Sequence, residues 1–291
     1  MQLLRPRLLP SALADVVAGV ALARVLGAVP LENLDGGLVL RGLVFALLVY
    51  ASGMVLGDVA DVEEDRRLGR ARPIVAGHID RKTAALFGLV LIVVALLVAP
   101  GFYGYWQYVL VGLVLAYSFV TKRVVLAGAL TLAACRGLNL ALPMLLVSMP
   151  AQASLIERLA ELGSYAWLAV VCYGLYAGLC VVHGSLEDLT PAPSGRSRCV
   201  AVLAALLPFS LLGSAARPEL LALASLPTLV LGLRSRSAGP GWVGARSGIL
   251  LRGLARFDFA LACGVGAFVE AIVLAIPAYV LPWLLRPKSW S

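Results

Sequence analysis

The sequence is poor in charge and poorer still in acid. Of its 291 residues 14% are charged, with 16 Asp and Glu against 24 Lys and Arg, and only two are His. Water-soluble domains carry about a quarter of their residues as charges, so at 61% hydrophobic content a soluble globular fold is excluded and the bilayer becomes the solvent. The chain also lacks a polar linker of domain-boundary length, internal repeats and low-complexity tails, which predicts one membrane domain over residues 1–291. It has no C-x-x-C pair. Cys135, Cys172, Cys180, Cys199 and Cys263 are expected to be packing residues rather than metal ligands or disulfides.

Apolar runs recur instead, each long enough to cross about 30 Å of hydrocarbon as a helix. Nine are predicted, over residues 9–29, 38–57, 83–100, 106–121, 124–149, 164–183, 199–213, 219–233 and 258–285. Runs such as Leu86 to Val98 are apolar at nearly every position, whereas barrel strands alternate with period two, so the fold class is all-α, a polytopic helical bundle. The first run is too long for the apolar core of a secretory leader and carries Asp15 and Arg24, so it is expected to remain as a helix.

The formal net charge of +8 invites a nucleic-acid reading, but its distribution argues against nucleic acid and for membrane topology. With a cytoplasmic N-terminus and nine spans, most of the basic residues fall in inside segments, and the C-terminus lies outside. The expected location is the cell inner membrane. Tyr103, Tyr105, Trp106 and Tyr108 gather at an outside turn and suit an interfacial belt.

The chemistry concentrates between Gly57 and Ile79, just after the second run. Asp58, Asp61 and Asp65 are spaced i, i+3 and i+7, so a continuing helix would place all three carboxylates on one face with Glu64 beside it. Like charges held so close call for a counter-ion. Oxygen ligands at a helix end suit Mg2+, which takes one or two carboxylates and fills its shell with water and substrate phosphates. Arg66, Arg67, Arg70 and Arg72, then Arg81 and Lys82, can meet the remaining phosphate charge. The competing reading is a solvated loop whose acids and bases pair and whose bases fix topology.

This stretch resembles the UbiA prenyltransferases, whose second helix is followed by Asn-Asp-x-x-Asp-x-x-x-Asp, then Arg-Pro-Leu or Arg-Pro-Ile and a Gly. Asp58, Asp61, Asp65, Arg72, Pro73, Ile74 and Gly77 match; Gly57 stands where the family has Asn. Tyr117, Ser118 and Lys122 resemble the family's Tyr-Ser element followed by a basic residue. The family's second aspartate pair is degenerate here: Tyr176 and Ala177 fit the preceding element, but His183 and Glu187 occupy the i, i+4 positions, with Asp188 adjacent. The resemblance implies nine helices with a cytoplasmic active-site cap, and an enzyme that transfers a prenyl group from an isoprenoid diphosphate to a small-molecule or lipid acceptor, with Mg2+ on Asp58, Asp61 and Asp65 and a second ion on Glu187 or Asp188. Arg72, Tyr117, Ser118, Lys122 and Arg196 are implied to contact substrate. A non-catalytic binder or transporter of a polar-headed lipid is the alternative.

Five further residues carry two readings each. His183 is a base for the acceptor or a helix-end residue at the interface; His78 is passive. Arg136 and Asn139, i and i+3 within an apolar run, steer a diphosphate or anionic acceptor, or else Arg136 pairs with Asp15 or Glu270 to lock the bundle. Tyr173 and Tyr176 stabilise a positive allylic carbon, or simply pack.

Overall fold

The computed structural model describes residues 9–70, 72–147, 154–186, 189, 194–234 and 242–281. Among these there is no strand; the chain runs as helices α1 (Leu9–Leu26), α2 (Gly36–Ala60), α3 (Val62–Arg67), α4 (Arg81–Val98), α5 (Trp106–Phe119) and α6 (Val125–Ala141), then α7 (Leu155–Leu162), α8 (Ser164–Gly184), α9 (Ser194–Leu206), α10 (Pro218–Arg234), α11 (Trp242–Val265) and α12 (Phe268–Ala275).

Among the described residues, five helices are long and apolar enough to cross a membrane: α1, α2, α4, α6 with its continuation to Leu146, and α8. Shorter apolar helices cover Trp106–Phe119, Pro218–Leu233 and Phe268–Val280. The outer face of α4 shows why lipid is the solvent. Leu86, Leu89, Val93 and Leu97 are exposed there side by side, which in water would form a contiguous apolar patch with nothing to cover it. The protein is an integral, multi-pass membrane protein.

Helix ends are set by local chemistry. The carboxylate of Asp35 accepts from the backbone N–H of Gly37 at 2.8 Å and Leu38 at 3.1 Å to start α2, and Asp80 does the same for Lys82 and Thr83 at the start of α4. Arg41 reaches from α2 to the carbonyls of Val98 and Ala99, satisfying the end of α4. Pro143, which has no N–H to donate, ends the α-helical part of α6, and the chain continues as a 3-10 turn over Leu142–Leu146.

One sequence expectation needs correction here. The ninth span, placed at 258–285, is two elements: α11 begins at Trp242, and α12 follows after Gly266, whose φ of +81° breaks the helix and continues to a π-helical turn at Ile276–Val280. Arg246, Arg252, Arg256 and Asp258 lie within α11; they depress its hydropathy, which is why the run seems to start late. The short amphipathic α7 was not anticipated; Ser154 and Glu157 form a reciprocal capping box at its start.

At the centre, α1 is buried on nearly every side and packs against α2, α6 and α11. The tightest seam joins α6 to α8. A Cβ on Gly174 would stand 2.6 Å from the carbonyl oxygen of Ala133, and one on Gly178 would stand 2.9 Å from that of Ala129, so only glycine lets these backbones meet. That approach brings Arg136 on α6 beside Tyr173 on α8.

Candidate active site

A cavity of about 320 Å3 lies among α2, α5 and α6, with Leu251 of α11 contributing to its wall. Gly57, Asp58, Asp61, Tyr117, Ser118 and Lys122 line its polar mouth, and Arg136 and Asn139 supply further polar lining. Between them the wall is apolar, with Val49, Leu110, Val114 and Leu132. The cavity therefore combines a charged mouth with a greasy interior.

The acidic motif does not stay on one continuous helix. The last turn of α2 carries Asp58, which is buried and faces the cavity; Asp61 sits in the break between α2 and α3 with φ −90° and ψ 0°, and α3 carries Asp65. Asp61 Oδ1 lies 2.5 Å from Lys122 Nζ, and the same ammonium donates to the Gly57 carbonyl at 3.2 Å. Asp65 is buried away from the cavity lining, 3.5 Å from Arg70 Nη1 and 3.8 Å from Arg72 Nε, while its backbone carbonyl accepts from the Arg70 N–H. No group of three His, Cys, Asp or Glu side chains among the described residues is gathered closely enough to hold a metal ion. The expected trio is thus a pair at the mouth plus a third carboxylate that braces the arginine loop.

The Arg72-Pro73-Ile74 element has a structural reason. Ile74 is buried against Val55, Val59, Val62 and Ala84, the Pro73 carbonyl accepts from the His78 N–H, and Gly77 turns the chain at φ +73°. Together they fold the basic loop back over the ends of α2 and α4. Arg72 is half-exposed and turned to Asp65 rather than to the cavity.

His183 is fully buried and does not line the cavity. Its Nδ1 lies 2.9 Å from Ser247 Oγ and its Nε2 lies 2.7 Å from Ser197 Oγ, which also accepts from Arg246 at 2.7 Å. With both ring nitrogens engaged it joins α8, α9 and α11, and the expectation of a base facing the acceptor is corrected accordingly. Tyr176 donates to the Leu250 carbonyl and packs edge-on against Phe257, so it too serves the bundle. Arg196 is exposed on α9, away from the cavity lining. Glu187 and Asp188 lie outside the described residues.

Arg136 pairs with Asp15 at 2.8 Å; Glu270 pairs with Arg24 instead. The same Nη2 contacts Tyr173 Oη at 2.8 Å, and Asn139 donates to the other Asp15 oxygen at 2.6 Å. Sequence reasoning passed over two contributors. Tyr50 lines the cavity with its ring 5.6 Å from the Arg136 guanidinium carbon, and Asp258 contacts Tyr173 at 3.2 Å. The signal for Asp258 was available, since a carboxylate within an apolar run is a functional residue by default; Tyr50 has no such mark.

A helical membrane bundle enclosing a cavity with a carboxylate-bearing mouth is the class of protein that the fold and the site define. The sequence profile of the UbiA prenyltransferase family matches residues 16–234, and the chain belongs to that family. Its fold is similar to the apo structure of a UbiA homologue from Aeropyrum pernix K1, at 16% identity and TM-score 0.65, covering 93% of this chain and 98% of that one. A UbiA homologue from Archaeoglobus fulgidus is similar in its structures bound to DMAPP and Mg2+ (15% identity, TM-score 0.54, 90% of this chain and 99% of that one) and to GPP and Mg2+ (15% identity, TM-score 0.55, the same coverage). No curated protein matches the sequence.

Proposed function

We propose that the protein transfers a prenyl group from an isoprenoid diphosphate to an acceptor, releasing pyrophosphate, with Mg2+ as cofactor. The observation that carries this reading is the pairing of Asp58 and Asp61 at the mouth of an apolar cavity inside the membrane domain. Family membership and the structures of relatives holding DMAPP or GPP with Mg2+ support it.

The donor set at the mouth fits Mg2+ of the substrate-completed kind. Two carboxylates and the Gly57 carbonyl supply hard oxygen, and a cationic group, the Lys122 ammonium, already lies against Asp61 and Gly57. Asp58 and Asp61 would hold the ion, which when bound neutralises charge on the departing diphosphate. Lys122 donates to phosphate oxygens from the opposite wall. Val49, Leu110, Val114 and Leu132 enclose the prenyl chain and keep water from the allylic carbon. Tyr50 and Tyr117, both on the cavity wall, offer ring faces to that carbon as it gains positive charge, worth about 0.5–2 kcal/mol. The carbon–oxygen bond to diphosphate breaks, a bond to the acceptor forms, and the acceptor gives up a proton. The mouth faces the cytoplasm, with the N-terminus inside and the C-terminus outside, as the inward bias of basic residues supports.

The test is pyrophosphate release by the purified protein in detergent from dimethylallyl, geranyl and longer diphosphates, with candidate acceptors, in the presence and absence of Mg2+. Release that stops on chelation and resumes with Mg2+ is expected. A protein that binds these diphosphates and releases nothing is the non-catalytic carrier instead.

A further inference from the structure

Lys122 is anchored before its side chain reaches the mouth. It lies in the 3-10 turn Thr121–Arg123 between α5 and α6, and that turn is pressed on α6 so closely that a Cβ on Gly128 would stand 3.0 Å from the Lys122 Cα. The Val124 N–H closes the turn on the Thr121 carbonyl at 3.1 Å, and the Thr121 hydroxyl donates to the Ala116 carbonyl at 3.3 Å. With its backbone held there, the side chain crosses to the end of α2.

Its ammonium takes the oxygens that an ion would use. Nζ lies 2.5 Å from Asp61 Oδ1 and donates to the Gly57 carbonyl at 3.2 Å. That carbonyl also accepts from the Asp61 N–H at 3.0 Å, so with Lys122 in place both of its lone pairs are used. Of the two carboxylates at the mouth, Asp58 is the one that Lys122 does not hold. An ion arriving alone must displace the ammonium or bind through Asp58 and water.

The charge at the mouth points the same way. Asp58, Asp61 and Lys122 sum formally to one negative charge, Arg136 being paired with Asp15. A divalent ion alone reverses that sign and leaves the ammonium without its carboxylate. A diphosphate supplies both things that are then missing, because its oxygens accept from the ammonium and its charge offsets the ion. The exchange requires no unpacking of the bundle. The side chains of Asp61 and Lys122 are 34% and 18% exposed, and the four-carbon stem of a lysine swings readily from one acceptor to another.

We propose that Lys122 is a resident counter-cation that keeps the ion site closed in the empty protein and yields it when a diphosphate draws the ammonium away. This rests on the reading of Asp58 and Asp61 as the protein ligands of the ion. Lys122 then has two successive sets of partners, Asp61 with the Gly57 carbonyl before substrate arrives and phosphate oxygens afterwards. The ion enters with the diphosphate rather than ahead of it. Apparent affinity for the ion alone is lowered by the fraction of molecules whose site is closed, so an ammonium seated in about nine molecules of ten weakens it about tenfold.

Titration of Mn2+ into the full-length protein in detergent, with no diphosphate present and followed by electron paramagnetic resonance, tests it. Lys122→Met is expected to bind Mn2+ about tenfold or more tighter than the parent, and Lys122→Gln, which suits the open mouth should the methionine variant fail to fold, is expected to do the same. A lysine acting only through its field would weaken an ion held by either carboxylate, whereas a lysine seated on Asp61 acts through that one. In the Asp61→Asn background, Lys122→Met is therefore expected to change Mn2+ binding by less than about threefold. Unchanged or weaker Mn2+ binding in the lysine variants, or an equal gain with and without Asp61, overturns the proposal. Absence of pyrophosphate release would defeat the transferase reading while leaving these substrate-free titrations as they are, so the two failures are distinguishable.

Discussion

Asp61→Asn is expected to lower Mg2+-dependent pyrophosphate release by about 100-fold or more, close to 2.7 kcal/mol of transition-state stabilisation at about 1.36 kcal/mol per tenfold. The substitution keeps the shape of the side chain and removes its charge. Asp61 sits in the break between α2 and α3, held there by its N–H on the Gly57 carbonyl at 3.0 Å, so its carboxylate is aimed by backbone geometry rather than by a flexible loop. Lys122 keeps the Gly57 carbonyl but loses its counter-charge in the variant, and the mouth becomes more positive by one charge. Because the ion and the diphosphate are expected to bind together, diphosphate binding in the presence of Mg2+ is expected to weaken as turnover falls, and steady-state KM and kcat report the two effects separately. Asp65→Asn is expected to act less strongly, since Asp65 meets Arg70 and Arg72 instead of the cavity.

The second large effect is on stability. Asp15→Leu leaves Arg136, 3% exposed, without its counter-charge in the middle of the bundle, and is expected to destabilise the protein by about 3–5 kcal/mol. Asn139 loses its acceptor as well. The double variant Asp15→Leu with Arg136→Met removes both charges together and is expected to recover most of the loss, because the penalty comes from the orphaned cation more than from the missing bond. Reversible unfolding in detergent, followed for the two single variants and the double, measures the coupling. Additive losses would show that the ion pair has no special role in holding α1 to α6.

The bundle was legible in the sequence because apolar runs of membrane length have few other uses, and α1, α4, α5 and α8 fall close to where hydropathy places them. It failed where charge is buried inside the protein. Hydropathy treats Arg246, Arg256 and Asp258 as solvent residues, whereas α11 points them at other helices, so the helix is longer than its apolar stretch. Asp58, Asp61, Tyr117, Ser118 and Lys122, singled out by their motifs, all line the cavity. Asp65 and His183 were legible as polar positions but not in their direction, since helical spacing assumes an unbroken helix and α2 stops at Ala60. The choice between Asp15 and Glu270 as partner of Arg136 depends on packing between helices over a hundred residues apart, which no local pattern encodes.

Gly57 is the departure with room for its missing side chain. A Cβ there meets nothing within 4 Å, so packing does not forbid an asparagine, and the Lys122 ammonium instead uses the bare carbonyl of this residue. In the proposed mechanism this lysine shares Asp61 with the incoming ion.

Electron paramagnetic resonance of Mn2+, a spin-bearing substitute for Mg2+, addresses that mouth directly when titrated into the protein with and without geranyl thiodiphosphate. The expected result is weak Mn2+ binding alone, at least about tenfold tighter binding once the diphosphate is present, and loss of that gain in Asp58→Asn and Asp61→Asn. Diphosphate-dependent Mn2+ binding that survives both substitutions unchanged would contradict the assignment of these two carboxylates as the ion's protein ligands.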